Sequence, residues 1–144
     1  MAKIAVETEK KLSYETAVSK AKSHTPAISG VISRAACNAA NELKAAAIVS
    51  STKSGATARR ISQCRPECPI VAVTPCEKVA KSLAFSFGVY PVVAEDQNST
   101  DAMMANATKL AVENGFAKAG DTVVIAAGLD KVGSTNLLKV SVVE

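Results

Sequence analysis

Residues 47 to 60 read AIVSSTKSGATARR and hold the densest group of side chains in this sequence that suits a bound ligand. A phosphate group needs several donors that converge on its oxygens, and the free amides of a helix start supply them with the positive end of the helix dipole. Glycine lets the backbone approach closely, and lysine adds charge. The hydroxyl donors are Ser50, Ser51, Thr52, Ser54 and Thr57, around Lys53 and Gly55.

Two interpretations of this loop stay open from its residues alone. Its order differs from the G-x-x-x-x-G-K-[ST] loop and from G-x-G-x-x-G, so a nucleoside triphosphate or a dinucleotide is not indicated. The hydroxyl groups suit an anion such as phosphate. They also suit simple helix capping, because serine and threonine are favoured at the position before a helix.

No catalytic or metal-binding residue is predicted. The single histidine, His24, precedes the first core helix, and no nucleophile has a base beside it in sequence. The acids Asp96 and Asp101 flank a helix start, where the helix dipole favours them. Cys64 and Cys68 stand in C-x3-C spacing but have no histidine near them, so a zinc site is not expected. The cysteines are expected to be reduced thiols.

Composition indicates one compact domain. The chain has 144 residues, of which 48% are hydrophobic and 21% charged. Neither a secretion signal nor a run of about 18 apolar residues is present, which predicts a cytoplasmic protein without a membrane partner. A net charge of +4 with 3% aromatic residues offers no basic or stacking surface, so no nucleic-acid partner is expected.

The strand pattern consists of short apolar segments. Buried strands are predicted at residues 45–50, 69–74, 89–94 and 122–127. Pro91 indicates an edge position or an irregular pairing for the third of them. Residues 137–143 alternate, as in a strand with one wetter face. Because no helix separates them from the fourth strand, the two strands are expected to be antiparallel neighbours or to form a mixed edge.

Helices are predicted between these strands. Thr25-Pro26 resembles a helix start, followed to Leu43 by Ile28, Val31, Ile32, Ala35 and Ala39 at helical spacing. Residues 56–64 form a short helix. Residues 74–77 form a capping box before a helix that Gly88 stops, and Ser99 or Thr100 caps the last helix, closed by Asn114-Gly115. The sum is a three-layer α/β/α sandwich with the ligand loop at the carboxyl ends of the strands.

Several long blocks resemble, in order, the C-terminal domain of pyruvate kinase: SSTKSGATARRISQCRPECPIVAVTP, GVYPVV, KAGDTVVIAAG and STNLLKVSVV. The opening MAKIAVETEK is similar to the end of that enzyme's catalytic barrel. The resemblance implies an end-of-barrel helix and linker over residues 1–24 and the α/β domain, with a five-stranded mixed sheet, over residues 25–144.

The resemblance also implies a regulatory function. In this glycolytic family, which converts phosphoenolpyruvate and ADP to pyruvate and ATP, the barrel holds the catalytic residues, Mg and K. We therefore expect no catalysis and no cofactor in this chain. The C-terminal domain binds a phosphorylated effector and helps to form the tetramer. Carried over to this sequence, the phosphate site is Ser51, Thr52, Lys53, Ser54, Gly55 and Thr57, and a second effector loop contains Lys131, Gly133, Ser134 and Thr135.

One departure from the family narrows the expected ligand. Members that bind a sugar bisphosphate hold its second phosphate with a tryptophan and an arginine after the third strand, where this chain has AEDQNSTDAMM. A sugar monophosphate or a nucleoside monophosphate is therefore expected. The expected protein partners are the catalytic barrel of the parent enzyme and further copies of the chain.

Other hypotheses remain. A free-standing phosphometabolite-binding module of the same fold would keep the loop and act through another partner. A purely structural module would only assemble subunits, and a small enzyme on phosphorylated substrates is disfavoured by the scarcity of acid-base residues. The stripe of Met1, Ile4, Ala5 and Leu12 favours the regulatory domain, because its partner surface belongs to the barrel.

Overall fold

A computed structural model describes residues 2–11, 27–97, 99–128 and 135–144. The helices are α1 (Ala2–Glu9), α2 (Ile28–Glu42), α3 (Ala56–Gln63), α4 (Glu77–Leu83) and α5 (Thr100–Glu113). The strands are β1 (Ala47–Ser51), β2 (Ile70–Thr74), β3 (Val89–Val93), β4 (Thr122–Ala127) and β5 (Leu137–Val142). Each strand predicted from the sequence is present, with bounds that differ by two residues at most.

The strands form one mixed sheet in the order β3-β2-β1-β4-β5. β1 pairs in parallel with both β2 and β4, and β2 pairs in parallel with β3. β5 runs antiparallel to β4, as expected. β3 lies at an edge, where Pro91 removes no hydrogen bond from the centre of the sheet.

Helices cover both faces of the sheet, which confirms the predicted α/β architecture. Side chains of a strand point to alternate faces. Ile48 therefore packs in a cluster with residues of α2, α3 and α4, whereas Val49 packs in a second cluster with residues of α5. Both side chains are fully buried. The central strands are apolar on both faces because each face is covered by a helix layer.

The buried face of α2 differs from the stripe of larger apolar residues in its sequence. Ile28 is 67% exposed and Val31 is 44% exposed. The helix instead buries its small side chains, which are Ser29, Ser33, Ala36, Cys37 and Ala40. Small residues bring the helix backbone close to the sheet, and the Ser33 hydroxyl donates to the Ser29 carbonyl at 2.7 Å. The prediction from the larger apolar residues therefore named the wrong face of α2 as the buried one.

Two predicted helix starts differ from the structure. α4 begins at Glu77 with Cys76 as its N-cap and no side-chain cap, so the capping box over residues 74–77 is wrong. Thr74 is the last residue of β2, and its hydroxyl accepts weakly from the Cys76 amide at 3.4 Å. α4 also ends at Leu83, before Gly88. Thr25-Pro26 lies outside the described residues, and α2 begins at Ile28.

The last helix follows its prediction. Ser99 is the N-cap of α5, and its side chain accepts a hydrogen bond from the Ala102 amide at 3.1 Å. Asn114 ends the helix, followed by Gly115 at a φ of 76°. Within the described residues, no helix is long and apolar enough to cross a membrane.

The first prediction compares one substitution at two helical alanines. Ala36 is fully buried under the sheet, whereas Ala105 is exposed on α5. Ala36→Leu should lower the free energy of unfolding by about 1–3 kcal/mol, because the close approach of α2 leaves no room for the added methyl groups. Ala105→Leu should change it by less than about 0.5 kcal/mol. Urea unfolding of both variants measures the difference, and equal losses would contradict the burial of the small-residue face.

Candidate phosphate-binding site

The loop between β1 and α3 is fixed at its first residue, Thr52, by hydrogen bonds. The Thr52 amide donates to the Val73 carbonyl at 2.9 Å, which continues the pairing of β1 with β2 beyond the end of the strand. The Thr52 side chain is 7% exposed, and its hydroxyl accepts from the Gly55 amide at 3.0 Å. Thr52 therefore fixes the turn from within, whereas α3 itself begins at Gly55 without a side-chain cap.

Gly55 makes the turn into α3. Its φ is 80°, a left-handed conformation that favours glycine. A Cβ atom at this position would lie 3.1 Å from Val79 Cγ1 and 3.2 Å from Leu83 Cδ2. Both neighbours belong to α4, which packs beneath the loop. Conformation and space thus both require glycine here.

The first turn of α3 presents backbone donors at the end of the loop. The leading amides of a helix have no acceptor within the helix, and they point along the positive end of its dipole. The Ala56 amide makes one long contact, 3.4 Å, with the Ser54 hydroxyl. Ser54 itself is exposed. An anion placed above this turn would meet the following amides and the Ser54 hydroxyl together.

The loop lies at the point where the sheet changes winding direction. From β1 the chain winds outward through β2 to β3, and then returns to place β4 on the other side of β1. α3, after β1, and α5, before β4, cover opposite faces. In open α/β sheets the crevice outside the carboxyl ends of such strands is the usual ligand position.

Thr57, in the first turn of α3, contacts Thr135, which precedes β5 by two residues. Their hydroxyl oxygens lie 2.6 Å apart although 78 residues separate them in the chain. Thr57 is 4% exposed and Thr135 is fully buried. The predicted second effector loop therefore reaches the phosphate loop through Thr135. Lys131, Gly133 and Ser134 lie outside the described residues.

The positively charged side chains Lys53 and Arg59, at the loop, both contact other groups of the protein. Lys53 is exposed and forms an ion pair with Asp96, the residue that follows β3 by three positions. The sequence pattern assigned Asp96 to the helix dipole, so its contact with the predicted phosphate ligand Lys53 was missed. The Arg59 guanidinium donates to the Ser54 carbonyl at 3.0 Å and to the Ser82 hydroxyl at 2.8 Å.

Two serines at the end of β1 face opposite sides of the sheet. Ser50 is fully buried on the side of α3, and its hydroxyl oxygen has no hydrogen-bond partner. Ser51 instead lines a cavity of about 20 Å³ with Asp96 and Met103 on the side of α5. That volume is enough for about one water molecule. Ser51 thus stands on the Asp96 side of the loop, away from the α3 start.

The fold defines the class of open α/β domains in which a strand-to-helix turn lies outside the carboxyl ends of parallel strands. The comparisons with known proteins identify the family. The domain described as "Pyruvate kinase, alpha/beta domain" matches residues 30–141. The chain belongs to the pyruvate kinase family and corresponds to its C-terminal α/β domain.

Relatives match nearly the whole chain. The pyruvate kinase of Clostridium acetobutylicum is 44% identical over 147 residues, which cover 100% of this chain and 31% of that enzyme. The enzyme of Staphylococcus epidermidis is 40% identical over 146 residues, with 99% of this chain and 25% of that enzyme covered. The chain thus spans less than a third of the length of these relatives.

A solved structure supports the same assignment. The crystal structure of a pyruvate kinase from Cryptosporidium parvum superposes with a TM-score of 0.83 at 27% identity, covering 94% of this chain and 27% of that one. A second structure of a pyruvate kinase from this organism, in complex with ADP, gives a TM-score of 0.82 at 28% identity and covers 92% and 28% of the two chains. The match confirms the predicted fold.

The second prediction separates crowding from backbone strain at Gly55. Gly88 has a similar φ of 66°, but a Cβ atom there would meet no heavy atom within 4 Å. Gly55→Ala should therefore lose about 1–3 kcal/mol more unfolding free energy than Gly88→Ala, because only Gly55 faces packed side chains. Urea unfolding of the two variants measures this difference. Equal losses would mean that the contact with α4 does not constrain the loop.

Proposed function

We propose that this chain is the regulatory domain of a pyruvate kinase, which binds the phosphate group of a small effector at residues 51–57 and contributes to assembly of the tetramer. The parent reaction would be the transfer of phosphate from phosphoenolpyruvate to ADP. The barrel that performs it in the family needs about 250 residues, more than the 144 of this chain. This segment would bind and regulate without any catalytic residue, metal or cofactor of its own.

The observation that carries the proposal is the position of the α3 start. It lies at the winding switch of the sheet, behind a glycine in left-handed conformation and beside Lys53. The leading amides of α3 follow directly after the exposed side chains of Lys53 and Ser54 in the chain, and these are the kinds of donor that phosphate oxygens require. Thr52 and Thr57 support the loop by their hydrogen bonds, and Ser54 and Lys53 are the side chains exposed to a ligand.

The surroundings favour one phosphate group. The segment after β3 contributes Glu95 and Asp96, and its described residues up to α5 carry no lysine or arginine. A second phosphate on that side would meet carboxylates. A sugar monophosphate or a nucleoside monophosphate fits this charge pattern better than a bisphosphate, because only its single phosphate needs cationic and amide donors.

Regulation would follow from linkage. An effector that binds this domain better in one arrangement of the tetramer shifts the enzyme towards that arrangement, by no more than its difference in affinity. Typical coupling energies are about 1–3 kcal/mol. A bound phosphate would compete with the Asp96 carboxylate for the Lys53 ammonium group, so this ion pair is one contact that an effector would change.

Effector binding predicts a defined loss in two variants. Ribose 5-phosphate, glucose 6-phosphate, AMP, fructose 1,6-bisphosphate and inorganic phosphate would be titrated against the chain by calorimetry. Lys53→Ala and Thr52→Ala should each weaken binding about tenfold, equivalent to about 1.4 kcal/mol. Asp96→Asn should tighten it, since Lys53 loses its competing carboxylate.

The control for this experiment is Lys44→Ala, which removes a lysine of equal charge and similar exposure from the end of α2, where it pairs with Glu67 at 3.7 Å. Its affinity should match that of the unchanged chain. Binding that is indifferent to Lys53 and Thr52 would place the ligand elsewhere. No binding of any compound would reduce the loop to a helix cap and favour a module that serves assembly alone.

Assembly is proposed to use the edge strand β5, in contact with further copies of the chain, while the barrel of the parent enzyme is the other partner. Val140 and Val142 lie on one face of β5 and are 44% and 58% exposed. An edge strand with exposed apolar residues offers unpaired backbone groups to another strand. A free-standing module of the same fold, acting through another protein, is the alternative.

Self-association tests the role of β5. Val142→Lys should weaken association of the chain by at least about tenfold, because a charged side chain on an edge strand opposes pairing. The matched control is Val93→Lys on β3, a valine that is 52% exposed at the opposite edge. Sedimentation velocity over a concentration series measures both. A monomeric unchanged chain, or equal loss in the two variants, would contradict assembly through β5.

A further inference from the structure

We propose that Arg59 is a positioning residue of the candidate phosphate site. It holds the peptide group between Ser54 and Gly55 in one orientation, and thereby fixes the hydroxyl and amide donors on either side of that peptide group. This inference rests on the proposed function, because it concerns the same loop. Arg59 lies in the middle of α3, and its side chain is exposed. It acts on a ligand through the loop and makes no contact with the phosphate.

The Arg59 side chain folds back over the loop and connects it to α4. Its Nη1 donates to the Ser54 carbonyl at 3.0 Å, and a Cβ atom at Gly55 would lie 2.9 Å from the same nitrogen. Its Nη2 donates to the Ser82 hydroxyl at 2.8 Å. That hydroxyl in turn donates to the Val79 carbonyl at 2.8 Å, within α4. One guanidinium group therefore links the loop to a neighbouring helix.

Both polar ends of the peptide group between Ser54 and Gly55 are bound. Its carbonyl oxygen accepts from Arg59, and its amide donates to the Thr52 hydroxyl at 3.0 Å. A peptide group is planar, so its carbonyl and amide turn together as one unit. The two hydrogen bonds act on opposite ends of that unit and select one orientation for it. Thr52 holds the buried end, and Arg59 holds the exposed end.

Gly55 makes these hydrogen bonds necessary. Turning the peptide group over would change the φ of Gly55 from its present 80° to a negative value. Most residues strongly disfavour one sign of φ, but glycine adopts both about equally. Backbone sterics at Gly55 therefore do not choose between the two orientations. The choice depends on the contacts with Thr52 and Arg59.

The orientation of this peptide group matters to an anion at the start of α3. The Ser54 side chain precedes the peptide group and the Ala56 amide follows it, so a rotation between them moves one donor relative to the other. A loop that is ordered before a ligand arrives loses less conformational entropy on binding. The charged guanidinium also offsets the partial negative charge of the Ser54 carbonyl oxygen, which would repel a nearby anion.

Arg59 is better placed to support the loop than to bind phosphate itself. Two of its nitrogens already have acceptors, one in the loop and one in α4. To reach a ligand, the guanidinium would have to leave both the Ser54 carbonyl and the Ser82 hydroxyl. Ser82 separates the two roles. Without its hydroxyl, an arginine that binds phosphate would be freer to reach it, whereas an arginine that holds the loop would hold it less firmly.

Hydrogen exchange, measured by NMR, tests the hold on the peptide group in the chain without ligand. Arg59→Gln should speed exchange of the Gly55 amide by at least about threefold, because the loop opens more often once its carbonyl is released. The Thr52 amide, which donates to the Val73 carbonyl, should keep its rate. Arg60→Gln is the control, since it removes an equal charge from the next residue of the same helix. It should leave both rates unchanged.

Titration with inorganic phosphate, followed by the amide signals of α3, tests the effect on binding. Arg59→Gln should weaken binding about fivefold, the usual effect of one lost hydrogen bond. Arg59→Lys should come within about twofold of the same value, because one ammonium group cannot replace the fork of a guanidinium. Ser82→Ala should weaken binding about threefold, since Arg59 loses its anchor on α4. Arg60→Gln should change it by less than about twofold.

The inference is overturned if Arg59→Gln leaves either the Gly55 exchange rate or the phosphate affinity unchanged. It is also overturned if Arg59→Lys restores full affinity or if Ser82→Ala tightens binding, because charge or direct contact would then explain the role of Arg59. Failure of the proposed site itself gives a different result, in which inorganic phosphate shifts no amide signal of the unchanged chain. Arg59 then has no ligand to position, and the inference fails together with the proposed function.

Discussion

The double burial of β1 is the constraint on which the other features depend. This strand is paired on both edges, with β2 and with β4, and helices cover both of its faces. Four of its five residues are buried, and none of its central side chains reaches solvent. Only its carboxyl end can meet a ligand. The position of the loop after β1, and hence of the α3 start, is fixed because the strand beneath it has no freedom to shift.

α3 couples two regions of different chemistry through a single rigid element. Its first turn forms the candidate phosphate site, and the residue that ends it is Cys64. The helix has eight residues, so about 12 Å at 1.5 Å per residue separate its ends. The buried face of this helix includes Thr57, Ala58 and Ile61. A change in the contacts at either end of α3 would therefore affect the packing of the whole helix.

Sequence patterns predicted the elements better than their contacts. The buried strands are continuous apolar runs, and the phosphate loop follows one of them, so both could be located directly. The inward face of α2 could not, because its exposed Ile28 and Val31 are more hydrophobic than its buried serines. Two further contacts arise from tertiary packing and cannot be predicted from the spacing of residues along the chain. They are the contact of Thr57 with Thr135 and the ion pair of Lys53 with Asp96.

The two edges of the sheet are not equivalent. Pro91 lies in the middle of β3 and has no amide hydrogen to give to a neighbouring strand, whereas β5 contains no proline. A sheet can extend through many copies only if both of its edge strands have backbone groups free to pair with another strand. With a single competent edge, two copies meeting through β5 would satisfy each other and leave nothing to propagate. The proline on the far edge would then limit such an assembly to a closed pair instead of an open chain of copies.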